Sequence, residues 1–442
     1  MGDFSHPLSL ACHSRWLQSG LRLPIWAAVF ISIYHAHPQG HRVGGFLTSL
    51  LEIPGIMSNL STRLEALART HPSDVSARSQ LSVTTYFSEA LFRREMELVF
   101  QHGPRYLGHA LAVPEVGDFY ALPQEGEGRA LVHTAQGIEL VSNVCRHRQA
   151  LMLRGRGNTR GHTGAASGGQ IVCPLHRWTY DLHGQLLGAP LFKTDPCLHL
   201  NNYPVRSWNG LLFEDNGRDI AAELGQIGPR ADLDFSGYVL DKVHVHACNY
   251  NWKTFIEVYL EDYHVGPFHP GLGRFVTCGD LRWELGRHHS VQTVGVHDAL
   301  RQAGSPAYQR WQDALLALGD GAAPKQGAVW LTYYPHIMVE WYPQVLVVST
   351  LVPKGPQQTL NIVEFYYPEA VAAFERELVE AQQAAYLETC VEDDEIALRM
   401  DAGRKALAER GDDEAGPYQS PLEDGMQHFH AWYRRAMGMA RG

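Results

Sequence analysis

The sequence predicts an α+β protein in which a small antiparallel β domain precedes a larger α+β domain. Between Gly103 and Asn216, short β-rich runs alternate with Gly, Pro and Asn, a pattern typical of a turn-rich antiparallel sheet. Strand-like runs return at 328–353. Residues 369–411 are rich in Ala, Glu, Gln, Leu and Arg, which favours one or two long helices.

The chain of 442 residues is too long for one ordinary core, so two domains are expected. We assign residues 81–228 to the β domain, with an amphipathic helix predicted at 84–102. We assign residues 229–442 to the α+β domain. In this second domain 238–248 alternates like a strand, and 250–265 is predicted to be a helix.

The N-terminal residues 1–80 are predicted to be a poorly structured extension. Their apolar run at 23–34 is shorter than the roughly 20 residues that a membrane span needs. Arg15 and Arg22 precede this run, so a targeting signal is the alternative interpretation.

Charge and cysteine content exclude some classes of protein. The net charge is −10, and no long basic stripe indicates binding to nucleic acid. The seven cysteines are odd in number and scattered over the chain, which argues against a disulfide framework. We therefore expect a cytoplasmic enzyme that does not bind a membrane.

Two short elements each pair one cysteine with one histidine. They are Cys145-x-His147 and Cys173-x-x-His176, and each follows a strand-like run. Two thiolates on one iron and two imidazoles on the other form a Rieske [2Fe–2S] cluster. A structural zinc site is the alternative, but zinc fingers usually pair Cys with Cys and His with His.

A second set of potential ligands lies in the α+β domain. His264 and His269 are five residues apart, and on a straight helix they would point about 140° apart. Gly266-Pro267 is expected to break the helix and let His269 turn back towards His264. Two histidines and one carboxylate would form the facial triad that leaves positions open on Fe(II) for dioxygen. The acidic run 391–396 offers the carboxylate, with a solvated helix face as the alternative.

From about residue 80 to about residue 410 the chain resembles the Rieske non-haem iron oxygenases, the ring-hydroxylating alpha subunit family. The resemblance is carried by the two ligand sets, Asn143, Trp178, Tyr180, Gly184 and the Asn-Trp-Lys motif at 251–253. It implies a Rieske domain followed by a helix-grip-like catalytic domain. The chain departs from the usual family residues at Arg177 (Gly), Val258 (Asn), His336 (Asn), Gln344 (Asp) and Asp401 (Gln), and the segment between His147 and Cys173 is longer.

The resemblance also implies roles for acidic residues. Asp393 is expected to be the carboxylate ligand, with Asp394 as the alternative. Glu261 is expected to bridge His176 of one subunit and His264 of a neighbour in a homotrimer, with Asp262 as the alternative.

The implied activity is that of a terminal oxygenase. Electrons from an NAD(P)H-dependent reductase or a ferredoxin would pass through the cluster to the mononuclear iron. O₂ would then hydroxylate or demethylate an organic substrate, aromatic compounds included. Monooxygenation and dioxygenation both stay open, and a Rieske-type electron carrier is the alternative function.

Overall fold

The computed structural model describes residues 80–162 and 169–439. Residues 1–79 of the predicted N-terminal extension, and residues 163–168 of the longer segment between His147 and Cys173, lie outside the described residues. Within the described part of the chain, no helix is both long and apolar enough to cross a membrane.

Residues 106–214 form three small antiparallel sheets, as the turn-rich pattern predicts. The strand orders are β5-β2-β3-β4-β9, β6-β7-β8 and β1-β11-β10. The strands are β1 (Tyr106–His109), β2 (Asp118–Ala121), β3 (Arg129–Thr134), β4 (Gly137–Ser142), β5 (Arg156–Asn158), β6 (Ile171–Val172), β7 (Thr179–Tyr180), β8 (Leu186–Gly188), β9 (Asn202–Tyr203), β10 (Val205–Trp208) and β11 (Leu211–Glu214).

A larger antiparallel sheet follows, in the order β12-β18-β17-β16-β15-β14-β13. Two of its strands, β13 and β14, were not predicted, because Arg, Glu, His and Gln interrupt the apolar pattern there. The strands are β12 (Tyr238–Cys248), β13 (Val276–Leu285), β14 (His289–Val296), β15 (Ala328–Tyr333), β16 (Ile337–Tyr342), β17 (Val345–Gly355) and β18 (Gln358–Pro368).

The helices connect and cover these sheets. The helix predicted at 84–102 is instead a 3₁₀ turn (Val83–Tyr86), α1 and a π-helical turn (Met96–Phe100). The α-helices are α1 (Glu89–Glu95), α2 (Ile220–Leu224), α3 (Trp252–Tyr259), α4 (Val265–Phe268), α5 (Leu272–Phe275), α6 (Pro306–Leu318), α7 (Glu369–Phe374), α8 (Arg376–Arg410) and α9 (Asp424–Ala436).

The long helix α8 lies against one face of the large sheet. Its buried residues Leu378, Val379 and Ala385 pack in one cluster with Val347 and Phe365 of β17 and β18. Apolar burial of this kind supplies the main driving force for docking a helix on a sheet. The predicted α+β fold class, with a long helix packed against an antiparallel sheet, is confirmed. The boundary at 228/229 stays a prediction, because one core cluster contains residues of both parts.

Candidate metal centres and substrate cavity

The structure brings His264, His269 and Asp393 together. The Nε2 atoms of the two histidines are 3.0 Å apart, and Asp393 Oδ1 lies 3.0 Å from His269 Nε2 and 3.6 Å from His264 Nε2. Donors at right angles around one ion, each roughly 2.1 Å from it, would be about 3 Å apart. The three side chains therefore fit a mononuclear metal ion.

The two histidines converge as predicted, but the helix breaks at an earlier position than predicted. The helix expected over 250–265 ends at Tyr259, and α4 starts anew at Val265. Pro267 lies in the first turn of α4, where a missing N–H costs nothing, so it does not break that helix. His264 and His269 lie at the two ends of this single helical turn, and their rings converge so that the Nε2 atoms face each other.

The Nδ1 atom of each histidine contacts a carboxylate other than Asp393. Glu261 hydrogen-bonds His264 Nδ1, and Glu392 Oε2 lies 2.7 Å from His269 Nδ1. These contacts fix the ring orientation and leave both Nε2 atoms facing the centre. Glu392 was missed by sequence reasoning, which treated it as part of an acidic run and weighed only Asp393 and Asp394.

Burial opposes protonation of His264, but its hydrogen bonds to the Asp393 and Glu261 carboxylates outweigh burial and raise its pKa to about 10. Burial would raise the pKa of Asp393, yet its hydrogen bonds with His264 and His269 keep that pKa below its ordinary value. The site thus concentrates negative charge around two imidazoles, which suits a cation at their common focus.

Asp394 faces a different group of residues. Its carboxylate lies 2.6 Å from His246 Nε2 and accepts a 2.7 Å hydrogen bond from the Tyr250 hydroxyl. Consecutive residues on a helix point about 100° apart, so only one of the two aspartates can face the histidine pair. The geometry favours Asp393.

Glu261 and Asp262 also differ in their surroundings. The Glu261 carboxylate accepts hydrogen bonds from the backbone N–H groups of Tyr263 (2.7 Å) and His264 (3.1 Å), and it keeps some exposure to solvent. Asp262 is buried and accepts a hydrogen bond from Gln292. Burial, followed by repulsion from Glu261, raises the pKa of Asp262 to about 7. Of these two acidic residues, Glu261 is thus the one whose carboxylate hydrogen-bonds the His264 ring.

The four cysteine and histidine residues of the first motif lie in two facing loops. Cys145 and Cys173 are buried, and the rings of His147 and His176 have centroids 4.6 Å apart. The Nδ1 atom of His147 is buried and has no hydrogen-bond partner within residues 80–162 and 169–439, which is costly unless another group binds it. His176 is exposed. This donor set fits a Rieske cluster with one edge open to an electron donor or acceptor.

Arg177, where the family usually has Gly, has a φ of +61°. This left-handed conformation favours glycine, since a Cβ is crowded there. The departure from the family pattern therefore adds backbone strain to the loop but leaves the four potential ligands in place.

A cavity of ≈ 680 Å³, its open mouth included, lies beside His264, His269 and Asp393. Besides Asp393, its lining includes three carboxylates, Glu261, Asp262 and Glu340, and no Lys or Arg among the described residues. The rest of the lining is largely aromatic, with Phe255, Tyr259, Tyr308, Trp311, Trp330, Tyr342 and Tyr386. An acidic cavity with aromatic walls suits a cationic organic molecule.

Among the four carboxylates that line the cavity, Glu340 is the one that sequence reasoning missed. It lies on β16, is almost fully buried, and accepts hydrogen bonds from Tyr342 (3.0 Å) and Tyr386 (2.8 Å). A single carboxylate in the apolar run Ile337–Tyr342 was a usable signal, because Glu is rarely buried without a partner.

Two family models match the chain. The model of the ring hydroxylating alpha subunit (catalytic domain) matches residues 235–439, and that of the Rieske [2Fe-2S] domain matches residues 105–204.

Among curated proteins, the chain is 62% identical over 381 residues to putrescine 2-hydroxylase of Ralstonia nicotianae, covering 86% of this chain and 100% of that protein. It is 56% identical over 429 residues to putrescine 2-hydroxylase of Bordetella bronchiseptica, covering 95% and 97%. More distant is choline monooxygenase of Beta vulgaris, 24% identical, covering 86% and 82%.

Solved structures show the same fold. The quaternary ammonium Rieske monooxygenase CntA in complex with L-carnitine has a TM-score of 0.63 at 19% identity, covering 81% of this chain and 96% of that one. Naphthalene 1,2-dioxygenase from Rhodococcus has a TM-score of 0.58 at 18% identity, covering 80% and 93%.

Proposed function

The chain belongs to the ring-hydroxylating, Rieske-type oxygenase alpha subunits, and from this premise we propose that it hydroxylates a small aliphatic diamine, with putrescine as the first candidate. Family membership makes it the terminal oxygenase of an electron-transfer system. It takes electrons from a reductase or ferredoxin and uses O₂ to oxidise an organic substrate. The match to the catalytic-domain model favours this activity over a pure electron carrier.

The acidic, aromatic cavity is the observation that carries the choice of substrate. Glu261, Asp262, Glu340 and Asp393 line it, and no Lys or Arg does so in the part of the chain that the structure describes. The proposed iron would balance Asp393, and Glu261 contacts His264, which leaves Asp262 and Glu340 without a cationic partner among the described residues. A dication would offset the charge of these two carboxylates, whereas a neutral aromatic compound would not. Two relatives of high identity are named putrescine 2-hydroxylase, which supports the same choice. Hydroxylation of a saturated carbon makes the reaction a monooxygenation.

We assign the cofactor ligands as follows. Cys145 and Cys173 with His147 and His176 would hold the Rieske cluster, and a second set would hold the mononuclear Fe(II). When bound, the two groups supply electron transfer and dioxygen activation. The second set consists of His264, His269 and Asp393.

The chain's own residues prepare this centre. Glu261 and Glu392 keep each histidine in the orientation that presents Nε2. The aromatic walls would exclude water and position a substrate carbon beside His264, His269 and Asp393. Both effects act before any chemical step.

We further propose a homotrimer in which Glu261 bridges His264 and the partner subunit's His176. Glu261 contacts His264 and remains partly exposed, so a second donor could reach its carboxylate. A cytoplasmic location remains part of the proposal. It is supported by the six cysteines in the described part of the chain, none of which forms a disulfide there.

The substrate is tested with the iron-loaded protein, a Rieske-oxygenase reductase, NADH and isotopically labelled O₂. We expect O₂ uptake coupled to a putrescine product that carries one labelled oxygen atom, detected by mass spectrometry. Choline, carnitine and glycine betaine serve as comparison substrates. Coupled turnover of one of these, with none of putrescine, would overturn the choice of a diamine.

A further inference from the structure

We infer that Glu340, held by Tyr342 and Tyr386 beside Trp330, binds a primary ammonium group of the substrate and so determines the specificity of the cavity. The inference rests on the proposed function for the nature of the substrate. It adds the residue that recognises it.

The position of Glu340 is set by the sheet. Glu340 and Tyr342 are two residues apart on β16, so their side chains leave the same face. Trp330 of β15 lies directly opposite Glu340 in the register. Tyr386 of α8 also lines the cavity and donates a hydrogen bond to the carboxylate. A strand pair and a helix thus hold the carboxylate rigidly, which favours precise recognition.

In the described part of the chain, the hydrogen-bond partners of Glu340 are two neutral phenols and no cation. Buried carboxylates are normally paired with a cation or bound to a metal. Burial raises the pKa of Glu340 to about 7, although the two tyrosines oppose this. An ammonium group from the substrate would supply the missing positive charge and favour the ionised carboxylate.

The surrounding rings suit the same ligand. The ring centroid of Tyr342 lies 6.1 Å from that of Trp330 and 6.2 Å from that of Tyr386, both nearly edge to face. Aromatic faces attract ammonium groups. The Tyr259 hydroxyl lines the same cavity, is buried and has no hydrogen-bond partner among the described residues. It can accept an N–H from a primary ammonium, which a quaternary ammonium cannot donate.

Glu364 offers a matched control. It lies on β18, is almost fully buried, and accepts a 2.6 Å hydrogen bond from the Tyr106 hydroxyl. Burial raises its pKa to about 7, as for Glu340. It is not among the residues that line the cavity. Glu364→Gln therefore makes the same chemical change in the same sheet, outside the site.

The test is calorimetric titration of the anaerobic iron-loaded protein with putrescine and with n-butylammonium, followed by turnover of putrescine. Glu340→Gln should weaken binding of both ligands by about 30-fold or more, the usual cost of truncating one partner of a buried charge pair. Glu364→Gln should change either constant by less than about twofold. Tyr386→Phe, which removes one hydrogen bond to Glu340, should give an intermediate loss of about fivefold.

The outcomes separate the two proposals. If wild-type protein does not hydroxylate putrescine but binds n-butylammonium through Glu340, the ammonium site stands and the substrate is wrong. If Glu340→Gln binds and hydroxylates putrescine as well as wild type does, the substrate stands and the role of Glu340 is overturned. Failure of wild-type protein to bind n-butylammonium also overturns it. Iron content and the visible spectrum of the cluster show whether each variant is folded and loaded.

Discussion

Asp393 and Asp394 are consecutive residues of α8 with different partners. Asp393 faces His264 and His269, whereas Asp394 is held by His246 and Tyr250. The 100° rotation between neighbouring helix positions separates the two carboxylates, so their roles can be tested independently.

Asp393→Asn should remove the mononuclear iron and leave the cluster intact. We expect iron to fall from about three to about two atoms per chain, because the remaining two histidines form an incomplete site. The Rieske-type EPR signal of the reduced protein should persist, while O₂ uptake with substrate should be lost.

Asp394→Asn is the matched control, because it makes the same change one residue away. It should keep all the iron and most of the O₂ uptake. An Asp393→Asn protein with full iron and activity would assign the third ligand elsewhere.

At the scale of the elements, Glu95 joins three helices. Its carboxylate contacts Lys253 Nζ (2.7 Å) and Trp252 Nε1 (2.8 Å) of α3 and accepts a hydrogen bond from Tyr433 (2.5 Å) of α9. Glu95 itself ends α1. Lys253 and Glu95 are almost fully buried. The Asn-Trp-Lys motif thus fixes the start of α3, the helix that leads into the loop with Glu261 and His264.

Lys253→Met should destabilise the protein by about 3–5 kcal/mol, because it leaves the Glu95 carboxylate buried without its cation. Urea unfolding followed by tryptophan fluorescence measures the change. Adding Glu95→Gln to this variant should restore part of the loss, since it removes the uncompensated charge.

The control for this prediction is an exposed pair on α8, Arg399 with Glu395. Arg399→Ala should cost less than about 0.5 kcal/mol, because water screens such pairs. Equal losses of unfolding free energy for Lys253→Met and Arg399→Ala would show that the buried pair does not stabilise the contact between the helices.

At the scale of the whole molecule, the proposed trimer predicts that electrons cross between subunits. A His176→Ala chain would lack a working cluster, and a His264→Ala chain would lack a working mononuclear site. Neither should be active alone. Trimers assembled from both should regain part of the activity, because an intact cluster of one chain can lie beside an intact iron site of the next.

The measurement is O₂ uptake by co-expressed, doubly tagged and purified assemblies. Assemblies that mix two differently tagged His176→Ala chains provide the background. Mixed assemblies of proven composition that stay at this background would place electron transfer within a single chain or show that the trimer is wrong.

Features that depend on local spacing are predictable from the amino-acid sequence alone. Cys145-x-His147 and Cys173-x-x-His176 predict the cluster, since a few residues of loop set which side chains can share it. The alternation at 238–248 and the composition of 369–411 predict β12 and the long C-terminal helix, because the periodicity of a strand and helix propensity are local properties. The alternation and composition predict the fold class, and the resemblance carried by the two ligand sets and the Asn-Trp-Lys motif identifies the family. The comparisons and the structure confirm both.

Contacts between side chains that are distant in the sequence are visible only in the tertiary structure. The sequence placed the break between His264 and His269 at Gly266-Pro267, but the chain turns earlier, where the Asp262 N–H bonds to the Leu422 carbonyl. Glu392 and Glu340 gain their roles from His269 and from Tyr386, which lie 123 and 46 residues away. No short pattern encodes such contacts, because they arise when the packing of helix and sheet brings remote positions together. The two ligand sets noted in the sequence predict the cofactors, and the fold supplies the cavity that indicates the substrate.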